Sequence, residues 1–259
     1  MRKILLLVLA LTSTSLFAQH TTSGANSDWS NTAAWTQGTV PTASDNVEIS
    51  HAITVTASDA VCNNLTVNYN GGAGSLTISG NDAKVDAGGT GTIGGSVTVT
   101  GGSASNPATL DIAGDLSITT GSVTVNAGQR FILGSSGAVA NTTATGPIDI
   151  NSDSNLHGSF YNYGTWTSNS VTGKINYNRF IANLNTWDLI GAPVSNLSIN
   201  TFVGTENDIA SGGGSGSDQY AIGQYTNTTA AYPGNTWLNY TTSTVGSAGN
   251  FEPGKGYQM

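Results

Sequence analysis

Charge, cysteine, histidine and proline are all scarce in this sequence of 259 residues, and each shortage excludes something. Only 8% of the residues are charged, with seven basic side chains against fifteen acidic ones. The chain therefore offers no basic stripe to phosphates, which argues against nucleic acid or an anionic membrane as its partner. Because Cys62 is the only cysteine, an intrachain disulfide is excluded. We interpret Cys62, in the strand-like stretch AVCNNLTV, as a buried thiol.

Side chains that carry out catalysis are equally sparse. The three histidines, His20, His51 and His157, lie far apart in the sequence. No nucleophile elbow, phosphate loop or metal-binding histidine pair is present. The sequence therefore predicts a protein that has no cofactor and is not an enzyme. A catalytic triad stays open as an alternative, because its members need not be sequence neighbours.

Glycine and small polar residues make up for these shortages. The chain has 34 glycines, and Val, Ile and Thr recur along its length. Disordered chains of low hydrophobicity usually carry high net charge and much proline, whereas this chain has six prolines. The composition favours a folded, all-β protein with many turns.

The first residues, MRKILLLVLALTSTSLFAQ, are typical of a secretory signal peptide. Arg2 and Lys3 precede an apolar stretch, residues 4–11, that is too short to span a bilayer. We expect cleavage after Ala18, so that residues 1–18 are removed and five basic residues remain against fifteen acidic ones, a net charge of −10. An uncleaved anchor is the alternative. No later segment is apolar enough to cross a membrane, and the predicted location is extracellular or at the outer cell surface.

An apolar-polar-apolar triplet recurs between residues 53 and 150. Residues at i and i+2 face the same side of a strand, and glycine, asparagine and serine fill the gaps as turns require. The six triplets are Leu65–Val67, Leu76–Ile78, Val97–Val99, Leu110–Ile112, Leu116–Ile118 and Val123–Val125.

The spacing of the triplets favours a parallel β-helix, a solenoid of three-sided coils. Short steps of 6 and 7 residues add up to longer steps of 19 to 21 residues, which are those from Leu76 to Val97, from Val97 to Leu116 and from Leu110 to Phe131. We expect Val, Leu and Ile inside, threonines outside, and glycine or asparagine at corners with positive φ. We assign residues 53–156 to this solenoid and expect Leu110 and Phe131 to be neighbours that face inward. A sandwich of hairpins is the alternative.

Two tryptophans precede the repeats, in the stretch DWSNTAAW. The exposed end of a stack of strands is a template for aggregation, and repeat proteins need atypical end units. We therefore predict that residues 19–52 form an N-terminal cap in which Trp29 and Trp35 cover the first coil. Pro41 withholds a backbone donor from the edge of this cap.

The arrangement W-x5-W, then VP, then D-N-V-x-I resembles the start of β-helical modules in large exported surface proteins of Bacteroidetes-type bacteria. The later stretches KINYNRFIANLNTWDLIGAPVS and FEPGKGYQM resemble the module that often follows in such proteins. The resemblance covers most of the mature chain. It implies export by the type IX secretion route, although the sorting domain that usually accompanies this route is not among the 259 residues.

Aromatic residues are concentrated in the C-terminal part of the chain. Only Tyr69 and Phe131 occur between residues 53 and 150, whereas fifteen aromatics occur from His157 onward. We assign residues 157–259 to a smaller antiparallel, sandwich-like domain, with two hairpins that pair KINYNRFI with TWDLIGA and QYAIGQY with TWLNYTT. The aromatics form a core in one interpretation. In the other they form a sugar-stacking platform, with the candidates Trp166, Trp187 and Trp237.

Outward carboxylates on the solenoid are candidates for catalysis. Polysaccharide lyases and hydrolases built on a β-helix use such carboxylates with a basic residue or calcium. Here Asp111 and Arg130 lie one 19-residue step apart, with Asp86 and Asp115 as further candidates. A solvated surface pair is the alternative.

The stretch DINSDSN is a candidate for calcium binding. Side-chain oxygens recur every two residues and would share one side of a strand, at Asp149, Asn151, Asp153 and Asn155. The glycine and the closing glutamate of a helix-loop-helix calcium site are missing. A solvated polar turn is the alternative.

The sequence leads to three hypotheses about function. The first is an exported, non-catalytic structural or adhesive module of the cell surface, with surface glycans or other cell-surface proteins as partners. The second is a carbohydrate-binding module that uses the C-terminal aromatics, and the third is a polysaccharide lyase or hydrolase. Exposed aromatics in a groove favour the second hypothesis, whereas burial of the three tryptophans removes it.

We also expect the 259 residues to be part of a longer protein. Tyr257, Gln258 and Met259 begin an apolar-polar-apolar alternation that stops after three residues, whereas strands typically run about 5 to 6 residues. A natural terminus at a sheet edge is the alternative. The coding sequence beyond Met259 decides between the two.

Overall fold

The computed structural model describes residues 18–24, 27–57, 60–68, 71, 74–141, 148–166, 175–180, 189–191, 196–205, 209, 211–212, 219–225, 237–252 and 255–259. The chain forms two compact units, which meet in sequence between Phe180 and Ile181 and are described one at a time. In the described part of the chain, no helix has the length and apolar character that a membrane crossing needs.

The first unit consists almost entirely of short strands separated by turns. In chain order they are β1 (Gln19–Thr21), β2 (Ser27–Asp28), β3 (Asn46–Ile49), β4 (Ala52–Val55), β5 (Ala60–Cys62), β6 (Leu65–Val67), β7 (Ser75–Ser79), β8 (Lys84–Ala87), β9 (Gly91–Ile93), β10 (Ser96–Thr100), β11 (Thr109–Ile112), β12 (Leu116–Ile118), β13 (Ser122–Val125), β14 (Arg130–Leu133), β15 (Ala138–Asn141), β16 (Ile148–Asn151), β17 (Ser159–Asn162), β18 (Thr165–Trp166) and β19 (Ile175–Asn178).

These strands form a parallel β-solenoid with three faces, to which each complete coil contributes one strand per face. Face 1 has the order β1-β3-β6-β9-β12-β15-β18, face 2 the order β2-β4-β7-β10-β13-β16-β19, and face 3 the order β5-β8-β11-β14-β17. Neighbouring strands within each face pair in parallel. The predicted parallel β-helix is therefore confirmed, and the sandwich of hairpins is excluded for this unit.

Alternation of side chains fills the interior with apolar ladders. Leu110 lies beside Phe131 in the register of face 3, and both side chains are fully buried, as predicted. On face 2 the buried positions of one ladder run from coil to coil as Ile53, Leu76, Val97, Val123 and Ile148. The residues between them point outward, and there the threonines Thr54, Thr77, Thr98 and Thr124 form a ladder of their own.

The coils differ in length more than the spacing of the triplets predicts. Val97 pairs with Val123, a step of 26 residues, and not with Leu116, so the 19-residue step was wrong. Steps between paired residues range from 18, between Val47 and Leu65, to 29, between Phe131 and Phe160. The pairing of buried side chains fixes the strands, and the extra residues form loops at the corners.

The solenoid also extends further along the chain than the predicted range, residues 53–156. Its last strands, β17 to β19, lie beyond residue 156, and β19 pairs in parallel with β16. Ile175 lies beside Ile148 in this register, so the described strand of KINYNRFI, Ile175–Asn178, continues face 2. The described strand of TWDLIGA, Leu189–Ile190, pairs instead with Tyr257–Gln258, so within the described residues the predicted hairpin is wrong. The apolar-polar alternation of KINYNRFI suits a solenoid strand as well as a hairpin strand.

The two N-terminal tryptophans close the first coil, as predicted. A single 3-10 turn, Thr32–Ala34, separates them, and Asn31 caps it by accepting a hydrogen bond from the Ala33 amide at 3.0 Å. The indoles of Trp29 and Trp35 meet edge to face, with ring centroids 5.0 Å apart, and the Trp35 Nε1–H donates to the Trp29 carbonyl at 2.9 Å. Both side chains are buried in the same apolar core as the solenoid ladders.

Glycine at the corners serves two different purposes. After the strands of face 2, Gly80, Gly101 and Gly128 adopt the positive φ that the sequence predicts. Before these strands, glycine is needed because neighbouring coils approach each other closely. A Cβ built on Gly121 would lie 1.8 Å from the carbonyl oxygen of Gly95, and a Cβ built on Gly95 would lie 2.1 Å from the carbonyl oxygen of Gly74. These three glycines do not have positive φ, so close approach is a second reason for glycine at the corners, which the sequence analysis did not predict.

The second unit is an antiparallel sheet with a short helix. Its elements are β20 (Leu189–Ile190), α1 (Ile199–Thr205), β21 (Ser211–Gly212), β22 (Gln219–Tyr225), β23 (Trp237–Thr241) and β24 (Tyr257–Gln258). The predicted hairpin of QYAIGQY with TWLNYTT is confirmed as the pairing of β22 with β23. β24 pairs with β20 on one side and with β22 on the other.

The core of the second unit is partly aromatic. Ile199 and Val203, one turn apart on α1, are buried with Ile222, Phe251 and Tyr257. The rings of Phe251 and Tyr257 meet edge to face at 4.8 Å between centroids. The described residues thus form one sheet packed on a helix, where the sequence predicts a sandwich-like arrangement.

Replacing Trp35 by alanine tests the cap. The variant loses a buried ring and a hydrogen bond, and we expect the free energy of unfolding to fall by about 3 to 5 kcal/mol in chemical denaturation. Tyr163→Ala is the control, because it removes a ring that is 66% exposed and leaves no cavity. A Trp35→Ala variant as stable as the wild-type protein would contradict the cap.

Replacing Gly121 by alanine tests the close packing of the corners. We expect a loss of about 1 to 3 kcal/mol, because the new methyl group forces two coils apart. Gly88→Ala is the matched control, since its Cβ would lie 3.9 Å from the nearest atom, the Cys62 carbonyl oxygen. Equal thermal midpoints for the two variants would show that the corners do not need glycine for approach.

Candidate functional site

The outer surface of face 3 carries the densest group of charged and aromatic side chains that can be described on the solenoid. The alternation that buries one side of β8, β11 and β14 turns the other side to solvent, and on β17 Phe160 is partly buried whereas Tyr161 is exposed. Consecutive coils place these outward residues side by side, and they are Lys84, Asp86, Thr109, Asp111, Arg130, Ile132, Ser159 and Tyr161.

Lys84, Asp86 and Asp111 form a compact ion cluster on this surface. The Lys84 ammonium group lies 3.0 Å from a carboxylate oxygen of Asp86 and 3.1 Å from one of Asp111. Burial by itself lowers the pKa of Lys84, but the hydrogen bonds to Asp86 and Asp111 and the negative charges of these two carboxylates together outweigh burial and raise that pKa above its ordinary value. Lys84 is thus held in its charged form, which suits an ion pair and not a general base.

Arg130 does not join Asp111, the partner that the 19-residue step suggested. In the observed register Arg130 lies beside Thr109, and Asp111 lies beside Ile132. Within the described residues Arg130 is exposed and makes no ion pair, whereas Asp111 is engaged by Lys84. The step between these strands is 21 residues, so the proposed pair is displaced by two positions.

Asp115, the other carboxylate considered, has a structural partner. Its Oδ1 accepts a hydrogen bond from the Ala138 amide at 2.8 Å, and its backbone carbonyl accepts one from the Gly91 amide at 2.8 Å. Asp115 therefore links three consecutive coils at the corner before face 1.

The four calcium candidates are divided between a strand and a turn. Asp149 and Asn151 point outward from β16, and their Oδ1 atoms accept hydrogen bonds from the side chains of Asn176 and Asn178 on the next coil, at 2.8 and 2.9 Å. Asp153 instead folds back, and its Oδ1 accepts from the amides of Asn155 and Leu156 at 2.8 Å. These hydrogen bonds lower the pKa of the Asp153 carboxyl group. The side chains do not converge on one point, and the described residues contain no cluster of three or more His, Cys, Asp or Glu suited to a metal ion.

The three tryptophan candidates are not brought together in what the structure describes. Trp187 and the side chain of Trp166 lie outside the described residues. Trp237 is partly buried on β23, where its ring meets Tyr225 edge to face at 5.2 Å between centroids.

Two tyrosines that the sequence analysis did not single out lie at the C-terminal end of face 3. Tyr161 is 43% exposed and Tyr163 is 66% exposed, and their rings are parallel within 9° with centroids 6.5 Å apart. Phe160, the residue before Tyr161, points inward, and its ring stacks on that of Phe131 with centroids 4.9 Å apart. The sequence FYNY already indicates an exposed tyrosine, because side chains alternate along a strand and an inward Phe160 requires an outward Tyr161.

Cys62 lies at the opposite end of face 3 and is buried, with 1% exposure. Burial, with a smaller contribution from the negative charge of Asp86, raises the pKa of its thiol to about 12. A thiol in this state is a small apolar core residue and a poor nucleophile.

Comparison of the chain with protein-family models, with curated proteins and with solved structures finds no match in any of the three. The functional argument therefore depends on the fold and on the geometry of its surfaces.

Labelling of the thiol tests the burial of Cys62. At about pH 8 we expect no reaction of the native protein with a chromogenic disulfide reagent, and one thiol per chain after unfolding, because the group is both protonated and enclosed. The Thr98→Cys variant, with a thiol on the outer side of face 2, is the control and should react in the native state. Stoichiometric labelling of native wild-type protein would contradict the assignment.

Proposed function

We propose that the protein is an exported, non-catalytic structural or adhesive module of the cell surface. The observation that carries this proposal is the use of polar side chains on the solenoid. Asn126, Asn151 and Asn178 bond to one another from coil to coil, at 3.2 and 2.9 Å, and Asp115 and Asp149 bond to neighbouring coils in the same way. The oxygen and amide groups of these side chains are thus used in holding the stack together.

The electrostatics of face 3 support the same proposal. Lys84, Asp86 and Asp111 satisfy one another, and the carboxylates do not meet Arg130, so an acid and a base are not presented together. A rigid stack with a polar, weakly charged exterior suits a spacer or a presenting surface.

Export completes the proposal. The leader MRKILLLVLALTSTSLFAQ and the resemblance to Bacteroidetes-type surface proteins support delivery through the type IX route to the outer cell surface.

Surface labelling of cells that produce the chain with its own leader tests this proposal. We expect an epitope tag to be digested by protease added to intact cells, the mature chain to begin at Gln19, and deletion of the gene to reduce attachment of cells to surfaces. Purified protein should release no reducing sugars or unsaturated products from a panel of polysaccharides. Retention of the tagged chain inside the cell, or depolymerisation of any polysaccharide, would overturn the proposal.

A further inference from the structure

Tyr161 and Tyr163 are the part of face 3 that folding does not explain. On the same face, Phe160 stacks on Phe131, and at the cap the two N-terminal indoles are enclosed, so packing accounts for these rings. Tyr161 and Tyr163 are instead among the most exposed apolar side chains described. Neither hydroxyl group has a hydrogen-bond partner among the described residues.

Both tyrosines are held on a rigid support. Tyr161 is part of β17, in register with Ile132 of β14, and the Tyr163 amide continues the same ladder by donating to the Leu133 carbonyl at 2.9 Å. The two rings are parallel within 9°, and their centroids are 6.5 Å apart. Because the backbone that carries them is paired, little backbone entropy is lost when a ligand binds to the rings.

The ring pair suits a ligand with a flat, weakly polar face and hydroxyl groups at its rim. A pyranose ring presents such a face of C–H hydrogens, which pack against the electron-rich face of an aromatic ring. The two phenolic hydroxyl groups are free to exchange hydrogen bonds with sugar hydroxyls. The guanidinium group of Arg130, diagonal to Tyr161 on the same surface, is exposed and adds further donors.

The charge of the protein selects a neutral glycan over an acidic one. The mature chain has five basic residues against fifteen acidic ones, so its field repels polyanions at long range. Nearby, Lys84 is already paired with two carboxylates, which leaves Arg130 as the one unpaired cation among the described residues of face 3. A single cation is too little to recruit a chain of carboxylates or sulfates.

We propose that Tyr161 and Tyr163, with Arg130 diagonal to Tyr161, form a stacking site for a neutral polysaccharide chain. This site would be the contact through which the adhesive module proposed above holds its target. The proposal specifies the class of ligand that the adhesive module binds, and it rests on the proposed function.

Affinity electrophoresis and calorimetry on the full chain test the site. The probes are cellohexaose, mixed-linkage β-glucan and glucomannan as neutral ligands, with polygalacturonate as the acidic one. We expect wild-type protein to bind at least one neutral probe. The Tyr161→Ala/Tyr163→Ala double variant should bind that probe with an affinity lower by about tenfold or more, because stacking on aromatic rings contributes a factor of this order to the affinity. The Tyr161→Phe/Tyr163→Phe variant, which keeps both rings, should lose less.

Tyr225→Ala is the matched control, because Tyr225 is 47% exposed on the second unit and its ring contacts an aromatic neighbour, Trp237, edge to face. Its binding should equal that of the wild-type protein, and circular dichroism should show that all variants are folded. Absence of binding to every neutral probe overturns the proposal, as does binding to polygalacturonate alone. Equal loss in Tyr225→Ala, or none in the double variant, overturns the placement of the site.

Failure of this site and failure of the adhesive function give different results. If cells that produce the double variant attach as well as those that produce wild-type protein, the glycan site is wrong and the adhesive module stands. If the chain is retained inside the cell while the purified protein binds a neutral probe, the surface role is wrong and the site stands.

Discussion

The stacking of one coil on the next through parallel backbone hydrogen bonds is the constraint on which the structure depends. Each inward residue must meet a partner of suitable size in the coils on either side. On face 3 the sizes increase along the chain, from Ala60 through Val85 and Leu110 to Phe131. Where Gly91 interrupts a ladder between Leu65 and Leu116, the side chain of Ile112 fills the space. The interior is therefore packed by complementary neighbours, and coil length is free to vary.

The same stacking determines what the exterior can do. Outward positions recur at the strand spacing, so polar residues on consecutive coils come within hydrogen-bonding distance of one another at several places. Two examples of such contacts are the hydrogen bonds that join Asn126, Asn151 and Asn178 and the ion cluster of Lys84, Asp86 and Asp111. Side chains used in this way strengthen the stack. Residues that lack such a neighbour, above all Tyr161 and Tyr163, are where a partner has something to contact.

The sequence predicted the parts of this fold that alternation alone determines. The inward triplets, the neighbours Leu110 and Phe131 and the tryptophan cap follow from side-chain period and ring size. The register did not follow, because loops of unequal length separate the strands, and residue counting then misplaced Arg130 relative to Asp111. The burial of Gln129 was not predictable from the sequence either. Its side chain is 2% exposed, and it accepts hydrogen bonds from the amides of Gly102 and Ala108 and donates to two backbone carbonyls. A glutamine is usually exposed, and only the loop folded over it explains its burial.

Backbone contacts observed by nuclear magnetic resonance test the parallel stack most directly. The structure pairs Thr98 with Thr124 and Val97 with Val123, one strand spacing of about 4.8 Å apart. We expect nuclear Overhauser contacts between the backbone protons of β10 and β13 in parallel register, and none between β10 and β12. Contacts between Val97 and Leu116, or the close Hα–Hα contacts of antiparallel strands between consecutive triplets, would contradict the solenoid and with it the placement of every outward residue.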